Sequence, residues 1–336
     1  MVKLKVVKTS QMSPPAPPIG VVQSIVAGFD RIAAKPYLLI PPILLDLFFW
    51  LGPRLTVPSI VQEMRRFLVI PYGNDEVVKV QIEALQAIIS DLGQRLNLFA
   101  MISNPPAGIS SLIASRMPLD TPLDTSMQFS VDRIVVIFLL LIVLLLVGQV
   151  IGTQFHWWIA KQVAQGEDLA NRWTAIGRMV LLAIILYFLF IICGFGIAFI
   201  SYLSALILPL FGLMVAFFSL TFGFWILVYL FFTPHGIVRY GMGIFRAMME
   251  SATLVRWNLL PAVGYLGASV GITWLTNQVW LLPTEDSWYL LLAILGHAFI
   301  SATLLAGSYA FYQGRREWLY SHKHAQISPI ERGEKG

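Results

Sequence analysis

Charged residues are scarce in this chain of 336 residues. Asp, Glu, Lys and Arg together make up 12% of it, whereas hydrophobic residues make up 57%. The mean hydropathy is +0.74. A soluble domain of this size needs far more charge to cover its surface. The composition therefore excludes an ordinary soluble protein and predicts an all-α integral membrane protein.

Cysteine and catalytic motifs are also lacking. The single cysteine, Cys193, lies within an apolar run, so the sequence holds no disulfide framework. There is no HExxH, GxSxG or Walker motif, and no set of Cys and His residues has the spacing of a zinc site. We therefore expect no catalytic residues, no bound cofactor and no metal, in a protein that is not an enzyme.

Long apolar runs, in contrast, are abundant. A bilayer core about 30 Å thick needs roughly 20 apolar residues in a helix. Six candidates cover residues 37–51, 134–151, 179–203, 205–232, 258–282 and 288–312. The first is short and contains Pro41 and Pro42, which predict a kink. Because the third and fourth runs are adjacent, we expect them to form a tight antiparallel hairpin.

The distribution of Lys and Arg predicts the orientation. Lys and Arg residues precede the first run and follow the sixth. They also lie in the connection between runs two and three and in the connection between runs four and five. The two short connections on the other side contain none. Positive charge is retained in the cytoplasm, so both termini are predicted to be cytoplasmic in a bacterial plasma membrane. The net charge of +5 then indicates membrane lipids as partners, and no nucleic acid.

The runs divide the chain into five parts. They are a Pro-rich cytoplasmic tail (1–20), an interfacial helix with the first span (21–52), an extracytoplasmic helical segment (53–130), the remaining five-helix bundle (131–312) and a basic cytoplasmic tail (313–336). Amphipathic stretches precede the first run (VVQSIVAGFDRIAAK) and the fifth (GIFRAMMESATLVRW), and a weaker one (DLANRWTAIGR) precedes the third. This pattern predicts three units, each an interfacial elbow helix followed by a two-span hairpin.

The extracytoplasmic segment contains a heptad-like seam. Apolar residues alternate in steps of four and three at Val78, Ile82, Leu85, Ile89, Leu92, Leu96 and Phe99. Two interpretations are open. Either these helices pack on each other or on the outer leaflet, or they form a docking face for a partner protein.

Small residues in two of the runs predict close helix packing. Gly148 and Gly152 have GxxxG spacing in the second run, and Gly264, Gly267 and Gly271 share one face of the fifth. The opposite face of the fifth run carries hydroxyl residues. Two faces unsuited to lipid predict that this helix is surrounded by others.

Two ionisable residues lie at the predicted membrane centre. Asp46 is ten residues past Pro36, about 15 Å from the cytoplasmic side, and His297 is nine residues past Trp288, about 14 Å from the outer side. Because such groups are costly in lipid, we expect them to face the bundle interior and to pair, directly or through water. The pair is either a structural hydrogen bond that fixes the first span or a proton or ion site.

Two blocks carry a resemblance to a known family. The stretches AGFDRIAAKPYLLIPPILLDL and AMMESATLVRWNLLPAVGYLG resemble the six-helix membrane domains of bacterial proteins related to the membrane domain of glycerophosphoryl diester phosphodiesterases. The resemblance covers most of the chain, in pattern and helix order. It implies no catalytic residues here, because the soluble phosphodiesterase domain is missing.

Two hypotheses for function follow. The first is a non-enzymatic multipass membrane protein with a structural, accessory or membrane-organising role, as a subunit of a larger complex. The alternative is a small-solute or lipid transporter that uses Asp46 and His297. A water-filled cavity that reaches Asp46 would favour transport, and a filled bundle would favour the structural role.

Overall fold

The computed structural model describes residues 18–67, 76–123, 127–164, 166–167 and 169–327. Helices form most of this part of the chain, as the composition predicts. Two three-residue strands, β1 (Arg54–Thr56) and β2 (Gln128–Ser130), pair in parallel. Residues 1–17 and 328–336, which belong to the two predicted tails, lie outside the described residues.

Twelve α-helices occur in the described part of the chain. They are α1 (Val21–Ala34), α2 (Ile40–Leu51), α3 (Pro58–Phe67), α4 (Glu76–Arg95), α5 (Leu112–Arg116), α6 (Ile134–Val163), α7 (Arg172–Ile207), α8 (Pro209–Leu230), α9 (Thr233–Tyr240), α10 (Ile244–Trp257), α11 (Leu259–Trp280) and α12 (Leu290–Ile327). Five stretches, namely α6, α7, α8 with α9, α11 and α12, are long and apolar enough to cross a membrane. A sixth is formed by α1 and residues 36–51 if this bent pair counts as one span.

The chain bends by 99° between α1 and the helical stretch that begins at Pro36. Pro36 begins a 3-10 turn (Pro36–Leu39), and Pro41 and Pro42 lie in the first turn of α2. At a helix start, proline removes an N–H group that has no acceptor in the helix. The kink expected at Pro41 and Pro42 is therefore wrong: the bend precedes them, and these prolines begin α2.

Two of the three predicted elbow helices occur, α1 and α10. The third stretch forms no separate helix. Asn171 accepts hydrogen bonds from the backbone N–H groups of Trp173 and Thr174, and this cap begins the 36-residue helix α7 directly. The three-unit prediction is therefore wrong in its middle unit. The predicted hairpin is present, because only Leu208 separates α7 from α8.

Helix α12 lies at the centre of the molecule. It packs on α1, α2, α6, α10 and α11, and it is far more buried than the other four long helical stretches. It also continues beyond residue 312, to Ile327. Helix α11 was expected to be surrounded, but large side chains on several of its faces are exposed, including Leu260, Val270 and Trp274. That expectation is wrong, because among the described elements only α1, α10 and α12 make substantial contact with α11.

Candidate functional site

Residues 97–117, here named the inserted segment, turn back into the bundle after the outer helices α3 and α4. The segment contains a 3-10 turn (Leu98–Ser103) and α5, and it packs on α2, α6 and α12. Its buried apolar side chains are those of Leu98, Ile102, Ala107, Ile109, Leu112 and Ile113. The predicted extracytoplasmic segment is therefore only in part peripheral. Backbone without regular structure needs hydrogen-bond partners when it lies inside a bundle.

Asp46 of α2 accepts three hydrogen bonds from this segment, two of them from backbone N–H groups. Its side chain is fully buried. One oxygen, Oδ1, accepts from the Ser111 hydroxyl and from the Ile113 N–H at 3.1 Å, and Oδ2 accepts from the Leu112 N–H at 3.3 Å. The first N–H groups of a helix have no acceptor within it. The carboxylate therefore caps α5 and attaches the inserted segment to α2.

His297 of α12 contacts the residue next to that serine. Its Nε2 lies 3.2 Å from the hydroxyl oxygen of Ser110. Asp46 and His297 are thus brought to two consecutive serines, but among the described residues no direct hydrogen bond joins them. The inserted segment contacts both α2 and α12, and it supplies each side chain with a different partner.

Gln149 of α6 holds the middle of the inserted segment. Its Oε1 accepts from the Ala107 N–H at 3.1 Å, and its Nε2 donates to the carbonyl oxygens of Asn104 at 2.9 Å and Pro105 at 3.3 Å. The hydroxyl of Tyr187 donates to the same Pro105 carbonyl. Helices α6 and α7 therefore satisfy peptide groups that have no partner in regular structure.

The predicted packing glycines fall into two groups. A Cβ atom at Gly148 or Gly152 would collide with the carbonyl oxygen of Ile102 or Ala107. These glycines do permit a close approach, but to the backbone of the inserted segment and not to another helix. A Cβ atom at Gly264 would only touch Val21, and one at Gly267 or Gly271 would meet nothing within 4 Å.

A second buried polar cluster lies between α6, α9 and α12. The Nδ1 of His156 lies 3.1 Å from the Tyr309 hydroxyl, and the Nε2 of His235 lies 2.7 Å from the Ser308 hydroxyl. The rings of His235 and Tyr309 are 4.3 Å apart between centroids. Both histidines are buried in the bundle.

A buried carboxylate, Glu250, and a half-buried one, Glu285, mark the two ends of the bundle. At the end that carries α10, Glu250 accepts hydrogen bonds from Tyr312 at 2.6 Å, Arg316 at 2.8 Å and Tyr320 at 2.9 Å. At the opposite end, Glu285 lies 3.4 Å from Arg95 and 3.8 Å from Arg116. The two contacts of Glu285 join α4 and α5 to the loop before α12.

Two basic side chains near this end of the bundle, Arg54 and Arg95, differ in environment. Burial lowers the pKa of Arg54, whose guanidinium donates to the carbonyl oxygens of Gln94 and Arg95 at 3.0 and 2.9 Å. The hydrogen bond with Asp91 raises the pKa of Arg95. Arg54 thus connects β1 with the C-terminal end of α4.

Two adjoining cavities, of about 830 and 840 Å³, open where the α1–α2 bend, the C-terminal end of α6 and the start of α7 meet. Neither cavity is lined by Asp46 or His297. Within the described ranges, no three His, Cys, Asp or Glu side chains converge. Asp46 and Gln149 bind peptide groups of the inserted segment.

No family model, curated protein or solved structure matches this chain at a significant level. The relation to the membrane domain of glycerophosphoryl diester phosphodiesterases therefore stays a prediction.

Proposed function

We propose that this chain is a multipass protein of the bacterial cytoplasmic membrane, with both termini in the cytoplasm. The apolar surface of α7, α8 and α11 supports this location. Phe190, Phe195 and Leu260 have 77%, 75% and 84% of their surface exposed, among many similar neighbours. A continuous apolar surface of this extent is stable in contact with lipid or with another apolar surface.

Within the membrane, the role we propose is non-enzymatic: structural, accessory or membrane-organising, as a subunit of a larger complex. One observation carries this proposal. Both oxygens of Asp46, the carboxylate at the bundle centre, accept hydrogen bonds from the inserted segment. A carboxylate that accepts hydrogen bonds from backbone N–H groups in a packed interior stabilises the fold, and it is not accessible to a transported solute.

Reconstitution in vesicles tests the structural role. Vesicles that contain the purified protein and an internal pH-sensitive dye would be given a potassium gradient and valinomycin to drive protons inward. We expect wild type and Asp46→Asn to leak no more than empty vesicles, while Asp46→Asn melts at a lower temperature in detergent. Asp30→Asn, a change at an exposed carboxylate of α1, is the control for melting.

A small-solute or lipid transporter that uses Asp46 and His297 is the second candidate. Its support is the position of non-helical backbone beside a buried carboxylate and a buried histidine, a plan shared by many transporter binding sites. Proton flux in wild type that Asp46→Asn and His297→Ala both abolish would favour this candidate and contradict the structural role.

A further inference from the structure

The two cavities at the C-terminal end of α6 differ in character. They share the lining residues Tyr37, Trp157, Lys161 and Gln162. The first extends along α6 as far as Val150, and its wall is almost entirely apolar. The second is more polar and is bordered by Arg31 and Lys35. Together they form one open space with an apolar part and a basic part.

The basic part carries positive charge that has no carboxylate partner in the part of the chain that the structure describes. Arg31, Lys35 and Lys161 line it, and none of them forms an ion pair within the described residues. The carboxylate of Glu167, also in its lining, is paired with Arg239. An anion that enters this space therefore meets three cations that no carboxylate of the described residues neutralises.

Hydrogen bonds to Gln162, which lines both cavities, hold two of these cations, Arg31 and Lys35. The Lys35 ammonium donates to Oε1 of Gln162 at 2.6 Å, and the Gln162 amide donates to the Tyr37 hydroxyl at 3.2 Å. Arg31 donates through Nη1 to the carbonyl oxygens of Gln162 and Val163. A lysine has three donors and an arginine five, so most donors of both side chains are left for a ligand.

The apolar part has the length and position suited to an acyl chain. From Lys161 to Val150 the helix rises over eleven residues, which is about 17 Å. Trp157 lies at the junction, with the Lys161 ammonium 5.5 Å from its ring centroid. Tryptophan and lysine side chains of this kind are typical of the membrane–water interface. The cavity therefore runs from the interface towards the membrane centre.

We propose that this space binds an anionic phospholipid of the cytoplasmic leaflet, with its phosphate among Arg31, Lys35 and Lys161 and one acyl chain in the apolar part. The proposal rests on the membrane location proposed above. Inorganic phosphate would leave the apolar part unfilled. A zwitterionic lipid would bring a cationic group close to the same three cations, and like charges repel.

Lipid binding to the purified full-length protein tests the proposal. Phosphatidylglycerol and phosphatidylcholine with identical acyl chains would be added in detergent, and bound lipid would be measured by native mass spectrometry together with the melting temperature. We expect phosphatidylglycerol to bind more tightly and to raise the melting temperature more. Lys35→Gln and Lys161→Gln should each weaken its binding about fivefold.

Arg256→Gln is the matched control, because this exposed arginine of α10 lies outside both cavities. It removes one positive charge at the same end of the bundle and should leave lipid binding unchanged. Lys35 and Lys161 are exposed as well, so the test variants are expected to fold. Leu44→Trp, which reduces the apolar part, should weaken binding of phosphatidylglycerol without any change in charge.

Equal binding of the two lipids, or equal losses in Lys161→Gln and Arg256→Gln, would overturn the proposal. Stabilisation by inorganic phosphate alone to the extent given by phosphatidylglycerol would also overturn it and would indicate a phosphate site. Membrane location is tested separately, by extraction of native membranes with alkaline carbonate. A protein that resists extraction but shows no lipid preference would refute this inference alone.

Discussion

Asp46 shows how a carboxylate is accommodated in an apolar interior. An ionised carboxylate without partners is very costly to bury, and three hydrogen bonds offset that cost. Here they come from one hydroxyl and two backbone N–H groups of a segment that would otherwise carry unsatisfied donors itself. The burial of the carboxylate and the placement of the inserted segment in the bundle therefore stabilise each other.

Double-mutant cycles should reveal this dependence. Asp46→Leu leaves the donors of the inserted segment unsatisfied, at about 1–3 kcal/mol for each buried group, whereas Asp46→Asn keeps an acceptor and should cost less. Residues in contact couple by about 0.5–3 kcal/mol. We expect Asp46→Asn to couple with Ser111→Ala and to be closer to additive with His297→Ala, as measured by melting in detergent. Stronger coupling to His297 than to Ser111 would indicate direct pairing.

Gly152 offers a second test at the scale of a single residue. Gly152→Ala places a methyl group against the carbonyl oxygen of Ala107, so it should lower the melting temperature. Gly267→Ala is the matched control, because its Cβ atom meets open space. Alanine favours a helix over glycine by about 1 kcal/mol, so the control should be neutral or stabilising. Equal effects of the two changes would argue against close approach of the inserted segment to α6.

At the scale of elements, the sequence predicts the long helices, whose apolar pattern is continuous along the chain. It does not predict the position of the inserted segment, which depends on contacts with distant residues. Apolar runs predict the long helices because each must be apolar over its whole length. The inserted segment was missed because NPPAGISSLIASR has the composition of an ordinary loop. A signal was nevertheless present in α6, where Gly148, Gln149, Gly152, Thr153 and His156 form a stripe of small and polar residues at helical spacing, and all are buried.

Helices α3 and α4 pack against each other as an antiparallel hairpin. Gly93 lies directly against Val61, and Leu85 and Leu92 of the predicted seam are 41% and 49% exposed. The side chain of Val78 lies outside the described residues. The end of the seam, Leu96 and Phe99, packs against the bundle, while Leu85 and Leu92 are uncovered, which leaves both the outer leaflet and a partner protein as contacts for this part.

We expect Gly93→Leu to separate α3 from α4, because its side chain would occupy the position of Val61. The hairpin should then be cut faster by added protease. Leu85→Lys with Leu92→Lys is the control, since both side chains are already exposed and the purified protein should keep the protection of wild type. Rapid cleavage of this control would mean that the seam is packed against something in the purified sample.

At the scale of the whole molecule, both ends of the bundle contain ion pairs, which at the end that carries α10 are Arg316–Glu250 and Arg239–Glu167. Arg95 and Arg116 of the outer segment lie near Glu285. At the other end, Arg31, Lys35 and Lys161 form no ion pair within the described ranges. Cations left without carboxylates near a membrane are attracted to anionic headgroups. These three cations support the proposed orientation, in which this end of the bundle faces the cytoplasm.

Chemical labelling can test this orientation without a fused reporter. In a Cys193→Ser background, Val80→Cys places a thiol on the exposed surface of α4, and Arg256→Cys places one on α10 at the other end. A membrane-impermeant maleimide should label Val80→Cys on intact spheroplasts. It should label Arg256→Cys only after lysis, because the charge distribution predicts that α10 is cytoplasmic. The reverse pattern would mean an inverted protein, and labelling of both thiols before lysis would contradict a topology that separates α4 from α10.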